Sequence, residues 1–137
     1  MISIEQITPH LTWQLRRDVL YPGEYKFNME MPEDEQGYHF GAFTDNKLVG
    51  VVSLFKNLND WQFRKLAVDE AYQGKGIGKD LLNYITGFAT EEHAERLWCN
   101  ARTSAIGFYE KYNFTQTGAQ FSKKGVDYVV MEKLLQS

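Results

Sequence analysis

The sequence predicts an α/β fold in one domain, a mixed sheet with helices on its faces. Three observations carry this. Strand-like and helix-like segments alternate along residues 1–137 with no linker, repeat or low-complexity tract between them. A strand-like run at residues 61–68 feeds through three alternate glycines into an amphipathic helix. The chain then closes on two strand-like runs around the turn Ser122-Lys123-Lys124-Gly125. At 137 residues, 43% hydrophobic and 15% aromatic, it is long and apolar enough to bury one real core.

Residues 2–7 read as a first strand. Thr8-Pro9 reads as an N-cap followed by proline at the first helical position, where the missing N–H has no partner to lose. Leu11, Leu15 and Val19 put an apolar stripe on the helix that follows, which ends near Tyr21-Pro22. Residues 23–37 are polar, acidic and aperiodic, with Pro32 among them. They form the longest irregular segment and the best candidate for a substrate-facing loop or short helix. Strands follow at 39–44 and 48–55, joined by the hairpin turn Asp45-Asn46-Lys47. A turn at 57–60 leads into the strand 61–68. Ile77, Leu81, Leu82, Ile85, Phe88 and Ala89 then recur at helical spacing, which takes the helix to about residue 91. A strand at 97–100, a helix carrying Tyr109, and strands at 114–121 and 126–135 complete the order.

Composition excludes several classes of function. A net charge of −3 argues against a general nucleic-acid binder and is compatible with cationic amine substrates. Cys99 is the sole cysteine, so no internal disulfide forms and a cytoplasmic location is expected. It lies in the apolar run Leu97-Trp98-Cys99 and reads as core, not as a nucleophile. The Met1 end shows no basic segment followed by an apolar run, and no stretch approaches the length that spans a bilayer, so no membrane association is expected. Three scattered histidines and one cysteine offer no metal-ligand spacing, and no metal is expected.

The chemistry-bearing motif is Gln73-Gly74-Lys75-Gly76-Ile77-Gly78-Lys79, directly after the strand end Leu66-Ala67-Val68. Glycine lacks a Cβ, so the backbone there can curl and turn its N–H groups toward a ligand. The helix that follows adds unpaired donors and the positive end of its dipole, which together hold phosphate. Lys75 and Lys79 add charge at the rim. A P-loop needs four residues between its glycines and then Gly-Lys-Ser/Thr, which this chain lacks. In a dinucleotide fingerprint the third glycine comes one residue later than Gly78.

A second block reads Asn100-Ala101-Arg102-Thr103-Ser104-Ala105-Ile106-Gly107-Phe108-Tyr109-Glu110-Lys111-Tyr112-Asn113-Phe114. A tyrosine hydroxyl, with a reference pKa of about 10, stays protonated at neutral pH and can give a proton to a leaving thiolate. Together the two blocks resemble the GNAT superfamily of N-acetyltransferases. The first is similar to its acetyl-CoA loop, Gln/Arg-x-x-Gly-x-Gly/Ala. The second is similar to its signature of an Asn closing a strand and then Ala-x-x-Phe-Tyr-x-Lys-x-Gly-Phe. The resemblance covers the whole chain, with the specific motifs in residues 61–114. One departure is Asn113 in place of the helix-ending glycine, and Asn is the next-best left-handed cap.

The resemblance implies a sheet of about six to seven strands, splayed where acetyl-CoA binds. It assigns the pyrophosphate to Gln73, Gly74, Lys75, Gly76, Ile77, Gly78 and Lys79, and the pantetheine arm to the main chain of Leu66, Ala67 and Val68. Asn100, Ser104, Ala105 and Phe108 line the same arm, and Tyr109 is the general acid. It also implies direct attack by the acceptor amine in a ternary complex, and a homodimer. The general base is open: the slot where some members carry Glu is Gln62. The candidates are Glu24, Glu33, Asp34, Glu35 and His39, of which His39 has the most suitable intrinsic pKa. Glu24 is a candidate contact for the acceptor. Arg64 either faces the cleft, where it holds a substrate carboxylate, or lies on the surface. The acceptor is expected to be a small-molecule amine. A peptide or protein amine, and an acyl-CoA-binding module without turnover, are the alternatives.

Overall fold

The computed structural model describes residues 1–135. Seven strands form one mixed sheet in the order β1-β2-β3-β4-β5-β7-β6. They are β1 (Ser3–Ile7), β2 (Tyr38–Thr44), β3 (Lys47–Asn57), β4 (Asp60–Val68), β5 (Arg96–Arg102), β6 (Thr115–Lys123) and β7 (Val126–Leu134). Three α-helical segments accompany them: α1 (Trp13–Leu15), α2 (Ile77–Glu91) and α3 (Ile106–Glu110). The α/β class and the order of elements are those the sequence predicts. The chain packs as two compact units, residues 1–55 with 63–87, and residues 56–62 with 88 onward. No helix among the described residues is long and apolar enough to cross a membrane.

In the first unit β1, β2 and β3 form an antiparallel meander, with Ile7 opposite His39 and Tyr38 opposite Leu54. Asp45 and Asn46 close the β2–β3 hairpin with positive φ of 51° and 63°, the pair of left-handed residues that matches strand twist. Residues 49–54 of β3 are buried without interruption because both faces of the strand are covered. Val51 packs with Leu15 and Ala67 on one side, and Ile7, Val19, Leu20 and Leu48 close that cluster. On the other, α2 lays down Ile77, Leu81, Leu82 and Ile85, all buried. Gly50 sets how near the helix comes: a Cβ there would lie 3.0 Å from Leu81 Cδ1 and 3.1 Å from Ile77 Cγ2.

The helix expected over Leu11, Leu15 and Val19 differs in kind. A 3-10 turn at Pro9–Thr12, the single turn α1, and a π-helical turn at Arg16–Leu20 follow one another. Leu11 is 43% exposed, whereas Thr12 and Arg16 are fully buried. The face turned inward is therefore Thr12, Leu15 and Arg16, because Arg16 finds polar partners inside that outweigh the apolar spacing. Residues 23–37 hold only two 3-10 turns, Lys26–Met29 and Asp34–Gln36.

In the second unit Asp60, Trp61 and Gln62 pair in parallel with Arg96, Leu97 and Trp98. β5 runs antiparallel to β7, from Arg96 opposite Leu134 to Arg102 opposite Tyr128. Trp61 is fully buried and its indole N–H donates to the Leu58 carbonyl at 3.2 Å. Arg96 ties the unit together by bridging Asp60 at 3.0 Å and Glu132 at 2.6 Å. Asn113 adopts φ 71° after α3, the left-handed cap expected of Asn in a glycine slot, and delivers Phe114 to the core. All nine residues of β6 are exposed, and its register with β7 shifts between Gln116 and Gln120, where Gly118 takes φ 98°.

Candidate active site

The glycine motif in the first unit begins at a capped turn. Past Val68, the Asp69 N–H donates to the Val49 carbonyl at 2.8 Å, which anchors the strand end. The Asp69 carboxylate then accepts the Ala71 N–H at 2.9 Å. Gln73 folds back, its Nε2 donating to the Val68 carbonyl at 2.9 Å. Gly74 and Gly76 both sit in the left-handed region, at φ 79° and 85°, and a Cβ at either would meet nothing within 4 Å. The backbone there turns over open space. Asp80 N–H makes the first bond of α2, to the Gly76 carbonyl at 3.0 Å. The N–H groups of Ile77, Gly78 and Lys79 thus have no intrahelical partner and stand at the positive end of a 15-residue helix.

Ile77 is 3% exposed and pins the helix start to the core, so the cradle is rigid beneath and open above. Lys75 and Lys79 are exposed. Lys75 Nζ lies 5.5 Å from the Tyr72 ring centroid and Lys47 Nζ lies 5.1 Å from the same ring. Lys47 was not legible as a neighbour of this loop, since the hairpin turn that brings it there is far away in sequence. Donors, positive charge and absent Cβ atoms fit the pyrophosphate of coenzyme A. Leu66 and Val68 are half-buried, and Ala67 turns its side chain into the Val51 cluster. Before them Lys65 takes φ 59°, a left-handed residue inside a strand, which re-aims the chain as a bulge does. No sequence signal marks it.

The remaining candidates of the first unit separate clearly. Glu24 is exposed. Arg64 forms an ion pair with Glu33, so its guanidinium is already engaged. His39 is 2% exposed and both ring nitrogens are taken, Nδ1 by the Ser53 hydroxyl at 2.8 Å and Nε2 by the Asp34 carbonyl at 2.7 Å. That geometry leaves it no nitrogen for a substrate. Burial pushes its pKa down, Arg16 reinforces this, and the Asp34 carbonyl and carboxylate oppose it.

Asp34 is buried as well. Its carboxylate takes a two-pronged bond from Arg16, both contacts at 2.9 Å, and the Met31 N–H at 2.9 Å. Burial alone would raise its pKa, but these donors more than reverse that and hold it below the usual carboxylate range. The sequence offers Asp34 as one of five candidate bases in an acidic, aperiodic segment, and nothing in it pairs that carboxylate with Arg16 or Ser53. A charged residue beside an apolar helix stripe does not disclose a partner 18 residues away.

In the second unit Asn100 lies exposed on β5, opposite Val130. Ser104 is exposed and Ala105 half-buried in the 3-10 turn Thr103–Ala105 that leads into α3. Phe108 packs edge-on against Tyr109 at 5.2 Å and Tyr112 at 5.1 Å, and Tyr109 packs against Phe114 at 6.0 Å. Burial raises the Tyr109 hydroxyl pKa well above its usual value, with a smaller contribution from Cys99. Burial pushes the Cys99 thiol up to about 12, which makes it an inert core residue. Tyr109 is thus held in its protonated form.

Comparison with known proteins identifies the family. The family model for the acetyltransferase (GNAT) domain matches residues 17–135. An uncharacterized N-acetyltransferase of Bacillus subtilis, YitI, is 26% identical over 147 aligned positions, covering 100% of this chain and 99% of that protein. The ribosomal-protein-S18-alanine N-acetyltransferase of Escherichia coli superposes with a TM-score of 0.83 at 18% identity, over 100% of this chain and 96% of that one. A GNAT family acetyltransferase of Elizabethkingia anophelis, solved with acetyl-CoA bound, does so with a TM-score of 0.77 at 20% identity, over 98% of each chain. The chain belongs to the GNAT acetyltransferases, enzymes that take the acetyl group from acetyl-CoA.

Proposed function

We propose that this enzyme acetylates the primary amine of a small molecule by direct attack in a ternary complex. The observation that carries the reading is the pair of left-handed glycines, Gly74 and Gly76, leading into the start of α2. Acetyl-CoA supplies the activated acetyl thioester. The N–H groups of residues 76–79, with Lys75 and Lys79, hold its pyrophosphate, and the main chain of Leu66, Ala67 and Val68 holds the pantetheine arm. Asn100, Ser104, Ala105 and Phe108 line that arm in this reading. As the nitrogen–carbon bond forms and the carbon–sulfur bond breaks, Tyr109 gives its hydroxyl proton to the departing sulfur. The surplus proton of the nitrogen passes through solvent and restores the Tyr109 hydroxyl. Holding the amine beside the thioester supplies most of the rate.

The carboxylates of Glu24, Glu30 and Glu35 are exposed along the irregular segment and attract a cationic acceptor. Similarity to the S18-alanine enzyme favours a second reading, a protein N-terminus as acceptor. A panel of polyamines, amino acids and aminoglycosides, run beside a peptide with N-terminal alanine and read by thiol release, tests it. Turnover of the peptide alone would remove the small-molecule assignment. The fully exposed edge strand β6 supports a homodimer through that edge, and a monomer mass by light scattering would refute it.

Cofactor binding has its own test. Acetyl-CoA at about 100 times its Kd should stabilise the fold by roughly 2.7 kcal/mol, a shift of several degrees in Tm. Gly76→Asp should abolish the shift, because it adds a Cβ at φ 85° and a negative charge at the phosphate. A wild-type shift in that variant would move the pyrophosphate elsewhere.

A further inference from the structure

Arg16, Asp34, Ser53 and His39 are each 2% exposed or less, and hydrogen-bond accounting fixes where the protons lie among them. The Asp34 carbonyl only accepts, so His39 Nε2, 2.7 Å away, carries the ring proton. The neutral ring then has a bare Nδ1, and the Ser53 hydroxyl donates to it across 2.8 Å. The Ser53 oxygen in turn accepts from Arg16 Nη2 at 2.9 Å. Arg16 completes the circuit by forking onto the Asp34 carboxylate. It also donates to the Met29 carbonyl at 2.9 Å, while Asp34 receives the N–H groups of Met31 and, at its carbonyl, Gly37. Arg16 and His39 therefore hold residues 29–37 at Met29 and Asp34, Asp34 in turn gathers Met31 and Gly37, and every proton in the ring has one direction to point.

We propose that this closed ring is an acid-sensitive clasp that fixes residues 29–37 and frees them when His39 takes a second proton. A proton on Nδ1 would face a hydroxyl oxygen that already accepts from Arg16, and would turn the hydroxyl hydrogen away from its only acceptor in the ring. It would also set a second cation beside Arg16 with one carboxylate between them. The charged groups acting on the imidazole are the Asp34 carboxylate from the segment and the Arg16 guanidinium from the N-terminal helical run. β3 faces it with Ser53 and with the edge of the Phe55 ring at 6.0 Å, both uncharged. The lowered His39 pKa has the same sign, since it marks a site that prefers the neutral ring. The outer side of the clasped segment carries Glu30, Glu33 and Glu35, and Glu33 pairs with Arg64 of β4. Release therefore reshapes the acidic segment and leaves the glycine cradle intact.

Hydrogen exchange of the full chain, corrected for intrinsic rates, reads the clasp directly. An opening that returns His39 to its ordinary pKa near 6.5 takes up one proton. The opening constant for residues 29–37 should then rise between about pH 7.5 and 5.5, by up to roughly tenfold. His39→Gln offers an N–H to the Asp34 carbonyl but cannot titrate in this range, so its exchange should lose the pH dependence. Constant protection of this segment in the wild type, or the same acid loss in His39→Gln, would overturn the clasp. Nitrogen-15 shifts of the wild-type imidazole give a check free of any variant: the Nε2–H tautomer at neutral pH is required, and the Nδ1–H tautomer would overturn it. The proposal does not rest on the acetyl-transfer reading. Repeating the exchange with saturating acetyl-CoA tests that reading separately, through protection at residues 73–79.

Discussion

Tyr109→Phe should lower kcat by roughly 10²–10⁴-fold, the usual contribution of a positioned general acid, and leave the Kd for acetyl-CoA within about twofold. The substitution removes one hydroxyl and keeps the ring that packs against Phe108 and Phe114, so the local fold stays. The residues assigned to the pyrophosphate lie on the loop before α2 and in its first turn, and do not include this hydroxyl. The pH profile adds a sign. Burial holds the Tyr109 pKa above its ordinary value near 10, so the acid remains protonated throughout the alkaline range of a normal assay. No fall in kcat from tyrosine ionisation should appear up to about pH 10. Unchanged turnover in Tyr109→Phe, measured by release of free thiol, would remove the assignment. An alkaline limb present in the wild type and absent from the variant would show that the hydroxyl titrates lower than its burial implies.

How much of this was legible in the sequence depended on the range over which each constraint acts. The glycine cradle is local: turn, left-handed glycines and helix start all lie within residues 69–80, and their spacing states the geometry. Cys99 was equally readable, because an apolar strand is buried wherever it pairs. The first helix was not. Leu11, Leu15 and Val19 promise an apolar face, but the buried face includes Thr12 and Arg16. Thr12 satisfies its hydroxyl locally on the Pro9 carbonyl at 2.7 Å. Arg16 depends on Asp34 and Ser53, 18 and 37 residues away. Long-range polar pairing leaves no periodic trace, so nothing at 33–35 separates the buried Asp34 from its neighbours Glu33 and Glu35. His39 shows the same limit: its intrinsic pKa made it a candidate base, and only the fold reveals that both nitrogens are occupied.

That buried pair makes the largest stability prediction. Asp34→Asn keeps the side-chain shape but leaves the Arg16 guanidinium, fully buried, without its counter-charge. Breaking one side of a buried pair costs about 3–5 kcal/mol, a large share of the roughly 5–15 kcal/mol that holds a domain folded. Arg16 Nε has no partner even in the intact network, so the remaining bonds cannot compensate. Urea unfolding of Asp34→Asn should show the midpoint falling sharply. The double variant Arg16→Met with Asp34→Ala should recover part of that loss, since removing both charges together removes the desolvation cost as well. The acid side follows by linkage. Asp34 and His39 both have lowered pKa values in the folded chain, so the unfolded state binds more protons in each of their titration ranges. His39 contributes stability that is complete above about pH 6.5 and is lost as pH falls through its folded value; Asp34 does the same below its ordinary 3.8. Stability should therefore fall in two steps on acidification. In His39→Gln the upper step should vanish and the lower one remain. A loss under about 1 kcal/mol in Asp34→Asn would mean that the guanidinium finds water or another acceptor when the carboxylate goes, and that the pair does not hold residues 29–37 in place.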